Sequence, residues 1–434
     1  MREHVAKNLL LPDDVVFTCQ SCGACCRSDW LIGVDPASHD RLKTIDWARR
    51  DPELPPGEKF RKLPLPLLTG EALTFARKPS GECVFLTADT RCSIHRHLGY
   101  GEKPQVCREF PYHFVETPDG IAVGLSFACT AVRAHHGKSL PEQRSEILDV
   151  LAGSYRVQRV PDPIVLFSGT DIRWEEYRSI ETALLDLFHE HDVAFPTALI
   201  GGSALISICV GLKRLEARAW REGRAPEETL TGGLEKLADE GYRRLLAIAA
   251  NVRYPRRGSL TYLAPFYTWL QFSTRRMSRL ALVASLYRNY LAFWRGRGRL
   301  PGVLAAGDRF EIDAVHRVRF VLDGGEVDGF LREYWAHVIR RKTLTPMHGV
   351  FRGYQTLLVL YGFMKWVAKL RAHREGRAET SLEDVKEAVR LVEQRFILHA
   401  RFAEIFSLSP VLTVMADRSF VQPAFVRGVV LEPR

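Results

Sequence analysis

Four thiols fall within eight residues near the start of the chain, Cys19-Gln-Ser-Cys22-Gly-Ala-Cys25-Cys26. Four more follow at Cys83, Cys92, Cys107 and Cys129, so that eight of the nine cysteines precede residue 130 and Cys209 stands apart. Thiols this crowded share a chemical task. A disulfide framework is the weakest reading: it suits small secreted domains that lack a core, and this chain has 434 residues. Adjacent cysteines also sit at peptide spacing, about 3.8 Å between Cα atoms, which is below the usual disulfide span.

Two metal readings remain. A C-x2-C pair offers two thiolates on one tight turn, and two such halves close a tetrahedral zinc site. Cys19/Cys22 or Cys22/Cys25 would supply one half, and Cys83, Cys92, Cys107 or Cys129 the other. The alternative is iron–sulfur, because Cys19, Cys22 and Cys25 keep the C-x2-C-x2-C spacing that wraps one face of a cubane, with a distant fourth ligand. Gly23 lets the backbone turn and lets amide groups approach. Cys26 points elsewhere and would serve a second site. The spacing favours a 4Fe-4S cluster over zinc and leaves both open.

Length gives room for two or three domains, and 46% apolar with 26% charged residues is an ordinary globular composition. The net charge of +10 is uneven. Residues 1–140 carry 18 basic and 17 acidic side chains, so the excess lies beyond them. No zinc-finger spacing, RNA-binding aromatic motif or homeodomain-like helix accompanies that excess, so nucleic acid is not expected as a partner. Met1 to Leu11 includes Glu3 and Lys7 and has no signal-type apolar core. With so many free thiols, a reducing, cytoplasmic setting is expected. The longest uncharged run, Val193 to Leu212, is broken by Pro196, Gly201 and Gly202 and reads as a buried helix rather than a membrane span.

The pattern predicts an α+β, mainly α chain. An irregular cysteine-rich region over 1–138 precedes a predominantly helical domain over 139–434. In the first region Trp30 to Asp35 reads as a strand, Ser38 to Arg50 as a helix, and the proline-rich 51–70 as an irregular loop. Cys83 and Cys92 flank a polar turn at 87–91, Pro104 and Pro111 bracket a short helix around Cys107, and Pro118-Asp119-Gly120 centres a β-hairpin that delivers Cys129. Ser139-x-x-Glu142 reads as a capping box opening the helical domain. Further helices are predicted over 171–189, 229–250, 278–294, 329–342 and 355–371, and from Thr380 to His399.

The run Cys19-x2-Cys22-Gly-x-Cys25-Cys26, Cys83-x-Phe-Leu, Cys92-x-Ile and Cys107-Arg-x-Phe-Pro resembles the bacterial YkgJ-type zinc- or iron-chelating cysteine-cluster family over about residues 17–130. That resemblance implies metal chelation by these cysteines. A more distant likeness is to flagellin lysine N-methylases, carried by Cys25-Cys26, Trp30, Cys107-Arg108 and Leu125-Ser126…Cys129. It implies a protein-modifying enzyme that uses S-adenosylmethionine and a protein substrate. The other expectation is a non-catalytic protein whose structural zinc staples the N-terminal region and whose helices bind a partner. No strand–Gly-loop–helix frame surrounds Gly201-Gly202-Ser203, for which packing glycines suffice. The radical-enzyme C-x3-C-x2-C spacing is missing, since Asp29 follows Cys22 and Cys26. His95, His97 and Arg108 are candidate neighbours of the metal, His135-His136 a loop, His348 and His399 ordinary core or surface histidines, and Cys209 a buried small hydrophobe.

Overall fold

The computed structural model describes residues 8–28, 30, 32–64, 71–154, 157–190, 192–240, 242, 245, 247, 260–274, 279–304, 308–322, 325–345, 349–397 and 423–431. Helices dominate and the strands form small sheets, so the architecture is α+β, mainly α. The chain divides into two compact units, 1–159 and 160–434.

The first unit is a chain of short elements. It runs β1 (Leu9–Leu10), β2 (Val16–Phe17), α1 (Ala24–Arg27), α2 (Pro36–Leu42), α3 (Trp47–Arg50), β3 (Phe60–Pro64), β4 (Glu71–Phe75), α4 (Ser93–Leu98) and α5 (Gln105–Glu109). β5 (Tyr112–Thr117), β6 (Gly120–Leu125), α6 (Thr130–Arg133), β7 (Lys138–Ser139), α7 (Arg144–Gly153) and β8 (Gln158–Arg159) complete it. The expected hairpin is β5–β6, antiparallel from Tyr112 opposite Leu125 to Thr117 opposite Gly120. β1 and β8 add to its edges in parallel, in the order β1-β6-β5-β8.

Elsewhere the structure corrects the reading. Among its described residues the 30–35 segment forms no strand of its own. It makes a single bridge, Gly33 to Thr74, before Asp35 caps α2 through the Ser38 amide (2.8 Å). The helix expected over 38–50 is two short helices, each started by an aspartate, Asp35 and Asp46. The proline-rich loop contains strand β3, paired along its length with β4. Its described prolines flank or end the strand, where a missing N–H costs no ladder bond, and Pro66 lies outside the described residues. Glu142 does reach back to the Ser139 amide (2.8 Å), but Ser139 belongs to β7 and the helix opens at Arg144. Residues 139–159, assigned to the helical part from sequence, group with the first unit.

The core of this unit gathers Leu42, Trp47, Phe75, Phe85 and Ile94, with Cys83 among its buried members. Cys26, Cys92 and Cys107 pack against it. The aromatic rings meet edge to face, Trp47 with Phe85 at 4.8 Å and Phe75 with Phe85 at 4.9 Å, an arrangement favoured by the ring quadrupole.

The second unit opens with hairpin β9 (Ile164–Phe167) and β10 (Thr170–Ile172), then α8 (Trp174–His189), α9 (Phe195–Arg221) and α10 (Leu230–Asp239). α11 (Leu263–Thr274), α12 (Arg279–Arg295), β11 (Arg299–Pro301), β12 (Arg309–Glu311) and α13 (Ile312–Arg317) follow. The last described helices are α14 (Glu326–Arg340), α15 (Val350–Arg374), α16 (Leu382–Val392) and α17 (Pro423–Val430), with a π-turn at Glu393–Ile397. The start expected at Thr380 falls one residue on, where Ser381 and Asp384 cap each other's backbone. His348, His399 and the tail beyond Pro410 as far as 422 lie outside the described residues, as does most of 241–250.

α9 carries the long uncharged run, with Leu199, Leu205, Ile206 and Cys209 buried. It has the length and hydropathy of a membrane span, yet 61% of its apolar window is buried inside the protein. Gly202 lies mid-helix where a Cβ would stand 2.1 Å from the Tyr354 hydroxyl, and that hydroxyl donates to the Leu199 carbonyl (2.9 Å). Close packing, rather than a cofactor loop, explains this glycine. A fully buried ion pair joins Arg341 to Glu393 through two hydrogen bonds of 3.0 and 2.5 Å, and Tyr334 donates to the same carboxylate.

Candidate metal centre

The loop that carries the first four cysteines is shaped by its backbone. Gly23 adopts φ +69° at the N-terminus of α1, and its carbonyl accepts from the amides of Cys26 and Arg27, both at 3.0 Å. A Cβ there would meet Leu86 Cδ1 at 3.0 Å and the Thr90 carbonyl at 3.1 Å. A left-handed conformation and a tight wall together demand glycine.

Two other segments clamp the loop. The Cys83 amide donates to the Cys26 carbonyl (2.8 Å), the Thr90 hydroxyl to the Ser21 carbonyl (3.0 Å), and Arg27 to the Cys22 carbonyl (3.0 Å) while pairing with Glu82. Arg77 donates to the carbonyls of Ser28 and Trp30. On the opposite side β2 pairs with β7, the Thr18 amide donates to the His136 carbonyl (2.9 Å), and Gln143 donates to the Phe17 carbonyl (2.7 Å).

These clamps place Cys19, Cys22, Cys25, Cys26, Cys92, Cys107 and Cys129 around one cavity of about 280 Å³. Cys92 and Cys129 are the residues at which α4 and α6 begin. Cys107 lies on α5, and Cys25 and Cys26 lie on α1. Cys83 does not line the cavity and is buried in the core behind it. Cys209 belongs to the other unit and is buried in α9. His95 lines the cavity; His97 instead stands 3.2 Å from the buried Asp51 carboxylate. Arg108 donates to Gln105 (2.5 Å) and is absent from the cavity wall. His135 and His136 are exposed, as a loop reading requires.

Three residues that sequence reading missed also face the cavity: Tyr100, Lys103 and Glu146. A lysine four positions before Cys107, just ahead of Pro104, is the available signal for Lys103. Its ammonium lies 5.3 Å from the Tyr100 ring centre. Burial works against its charge, but the thiols of Cys107, Cys92, Cys25 and Cys19 outweigh that and hold its pKa above the ordinary lysine value.

The thiols themselves are desolvated. Burial pushes Cys129 up to about 12, opposed by the amides of Val132 and Ala131, and pushes Cys83 up to about 12 as well. Cys107 rises for the same reason against the pull of Lys103. Cys25 and Cys26 stand 4.0 Å apart, sulfur to sulfur. Their shared proton splits the pair, Cys25 falling below and Cys26 rising above the ordinary thiol value. Burial, then Lys103, holds His95 below its usual value and so neutral near pH 7.

The donor set suits a soft, thiophilic metal group: seven thiols, one neutral imidazole, one cation and the single carboxylate of Glu146 among the described lining residues. It is not a closed one-ion site. Tetrahedral zinc with Zn–S bonds of about 2.3 Å needs sulfurs about 3.8 Å apart, and no three Cys, His, Asp or Glu side chains converge for one ion among the described residues. A larger hollow of about 990 Å³ in the same unit is lined by residues such as Lys43, Pro52 and Lys62 and by no cysteine.

Comparison with known proteins agrees with the chelating reading. Residues 18–130 match the CxxCxxCC family model, whose description proposes a zinc- or iron-chelating domain. No curated protein and no solved structure matches the chain. The likeness to flagellin lysine N-methylases therefore gains no support from these comparisons.

Proposed function

We propose that the first unit binds iron as a thiolate-held iron–sulfur cluster in a reducing, cytoplasmic setting. One observation carries this reading: seven cysteines drawn from segments more than 100 residues apart line a single cavity beside a half-buried lysine. Cys25 is the proposed hub: it stands 4.0 Å from Cys26, sulfur to sulfur, and lines the cavity with the six other thiols. Cys92 and Cys107, both near Lys103, are proposed to stand with it, and the remaining ligand comes from the other lining thiols. Lys103 would offset part of the thiolate charge, a role that tunes such centres when the group lies in a desolvated wall. Bound there, the cluster would supply one-electron chemistry or a structural staple.

Zinc is the second reading, favoured by the 4.0 Å separation of Cys25 and Cys26, close to what one zinc ion requires. Anaerobic purification followed by a visible spectrum and iron, zinc and sulfide analysis separates the two. Broad visible absorbance with matching iron and sulfide is the expected result. A colourless protein with stoichiometric zinc would replace it with a structural zinc site, and absence of both metals would overturn the reading.

A further inference from the structure

Helix α12 is built inside out. Its buried side carries Ser285, Asn289 and Phe293, spaced four apart. The two polar members bond to α11, Ser285 to Gln271 (2.7 Å) and Asn289 to Thr268 (2.8 Å) and Gln271 (3.0 Å). Its outward side is apolar. Leu280 is 84% exposed, Val283 65%, Tyr287 66%, Tyr290 48% and Trp294 53%, and Leu286 is also exposed. At 3.6 residues per turn these six fall within an arc of about 120°, centred about 120° round the helix from the buried trio. A helix of a soluble protein ordinarily turns such a face inward.

The stretch of sequence that carries this helix is one-sided in charge. From residue 241 to 307 the sequence has twelve arginines, no lysine and not one aspartate or glutamate. That exceeds the whole chain's net charge of +10. Arg288 and Arg295, both exposed, flank one edge of the apolar arc, and exposed Arg297 and Arg299 follow the helix end.

We propose that the outward face of α12 rests on an anionic lipid surface, with Leu280, Val283, Leu286, Tyr287, Tyr290 and Trp294 entering the headgroup boundary and the flanking arginines meeting lipid phosphates. The combination of an apolar face rich in Leu, Tyr and Trp with exposed flanking arginines is what a helix lying in the interface plane requires. A nucleic acid would use the arginines but leaves exposed leucine and valine without a partner. A second copy of this chain would set the exposed arginines of one α12 against those of another. The helix lies on the surface and does not cross it.

The test uses the full-length protein sedimented with phosphatidylcholine vesicles, alone or with added phosphatidylglycerol. Binding to the anionic vesicles only, weakened by raised salt, is expected. Leu280→Ser/Tyr287→Ser/Trp294→Ser should lower partitioning at least tenfold, and Arg288→Gln/Arg295→Gln should lower it by about fivefold per charge. These side chains are exposed, so both variants should keep the wild-type far-ultraviolet circular dichroism. No binding to anionic vesicles, or binding unchanged by the triple variant, overturns the proposal. So does a wild-type dimer that the triple variant dissociates, which would assign the face to a second copy. Single-stranded RNA binding that depends on the arginines and ignores the triple variant would likewise overturn it.

Discussion

Gly23→Ala tests the metal loop most directly. The substitution places a Cβ on a residue at φ +69°, a left-handed conformation that costs an L-residue about 1–2 kcal/mol. The new atom also meets Leu86 Cδ1 at 3.0 Å and the Thr90 carbonyl at 3.1 Å. The leucine can rotate, but the carbonyl belongs to the turn that holds Ser21, so overpacking adds about 1 kcal/mol. Because metal binding is coupled to ordering of its loop, a total of about 2–3 kcal/mol should appear as a 30- to 150-fold weaker hold on metal. Equilibrium competition against a chelator measures it. Gly57→Ala is the control: φ is +98° with nothing within 4 Å of the new Cβ, so it carries strain without touching the loop. It should cost about 1 kcal/mol of stability and leave metal affinity unchanged. Wild-type affinity in Gly23→Ala, or equal loss in both variants, would refute the argument.

Replacing Cys25 or Cys107 with serine should sharply lower metal content by elemental analysis, whereas Cys209→Ala should leave it unchanged. In metal-free protein, Cys83 and Cys129 keep their protons up to about pH 12 when folded and release them near 9 when unfolded. The unfolded chain therefore binds fewer protons between those values, and the stability of the metal-free protein should fall as pH rises from about 9 to 12, as urea midpoints would report. Glu393→Ala strands Arg341 and Tyr334 in the core. It should destabilise the second unit by about 3–5 kcal/mol, seen as a lowered thermal midpoint.

The site was legible where chemistry is written locally. Crowded thiols named the metal-binding region, Pro104 and Pro111 bracketed the Cys107 helix, and Pro118-Asp119-Gly120 placed the hairpin. What sequence could not supply was distance. Cys83 has the same motif rank as Cys92, yet Cys83 is buried with Phe85 in the core while Cys92 is half-buried and lines the cavity. Lys103 was missed because, although Cys107 lies four residues on, nothing in the sequence shows that Cys19 and Cys25 fold back to the same place. The proline count hid β3, whose partner supplies the ladder that intrinsic propensity denied it. Helix existence was readable from period, while starts drifted wherever a 3-10 turn or strand preceded the helix, as at Arg144.

The pairing of Val16 with Ser139 also imposes an order in time. Ribosomes add about 5–20 residues per second, so the roughly 110 residues between Cys26 and the strand that braces it take about 5–20 s to emerge. Through that interval the first four thiols lack the β7 brace, although the clamps from Glu82, Cys83 and Thr90 emerge before it. Metal delivered before β7 appears would meet a loop not yet braced, whereas metal delivered afterwards could meet a closed loop while the second unit is still being made.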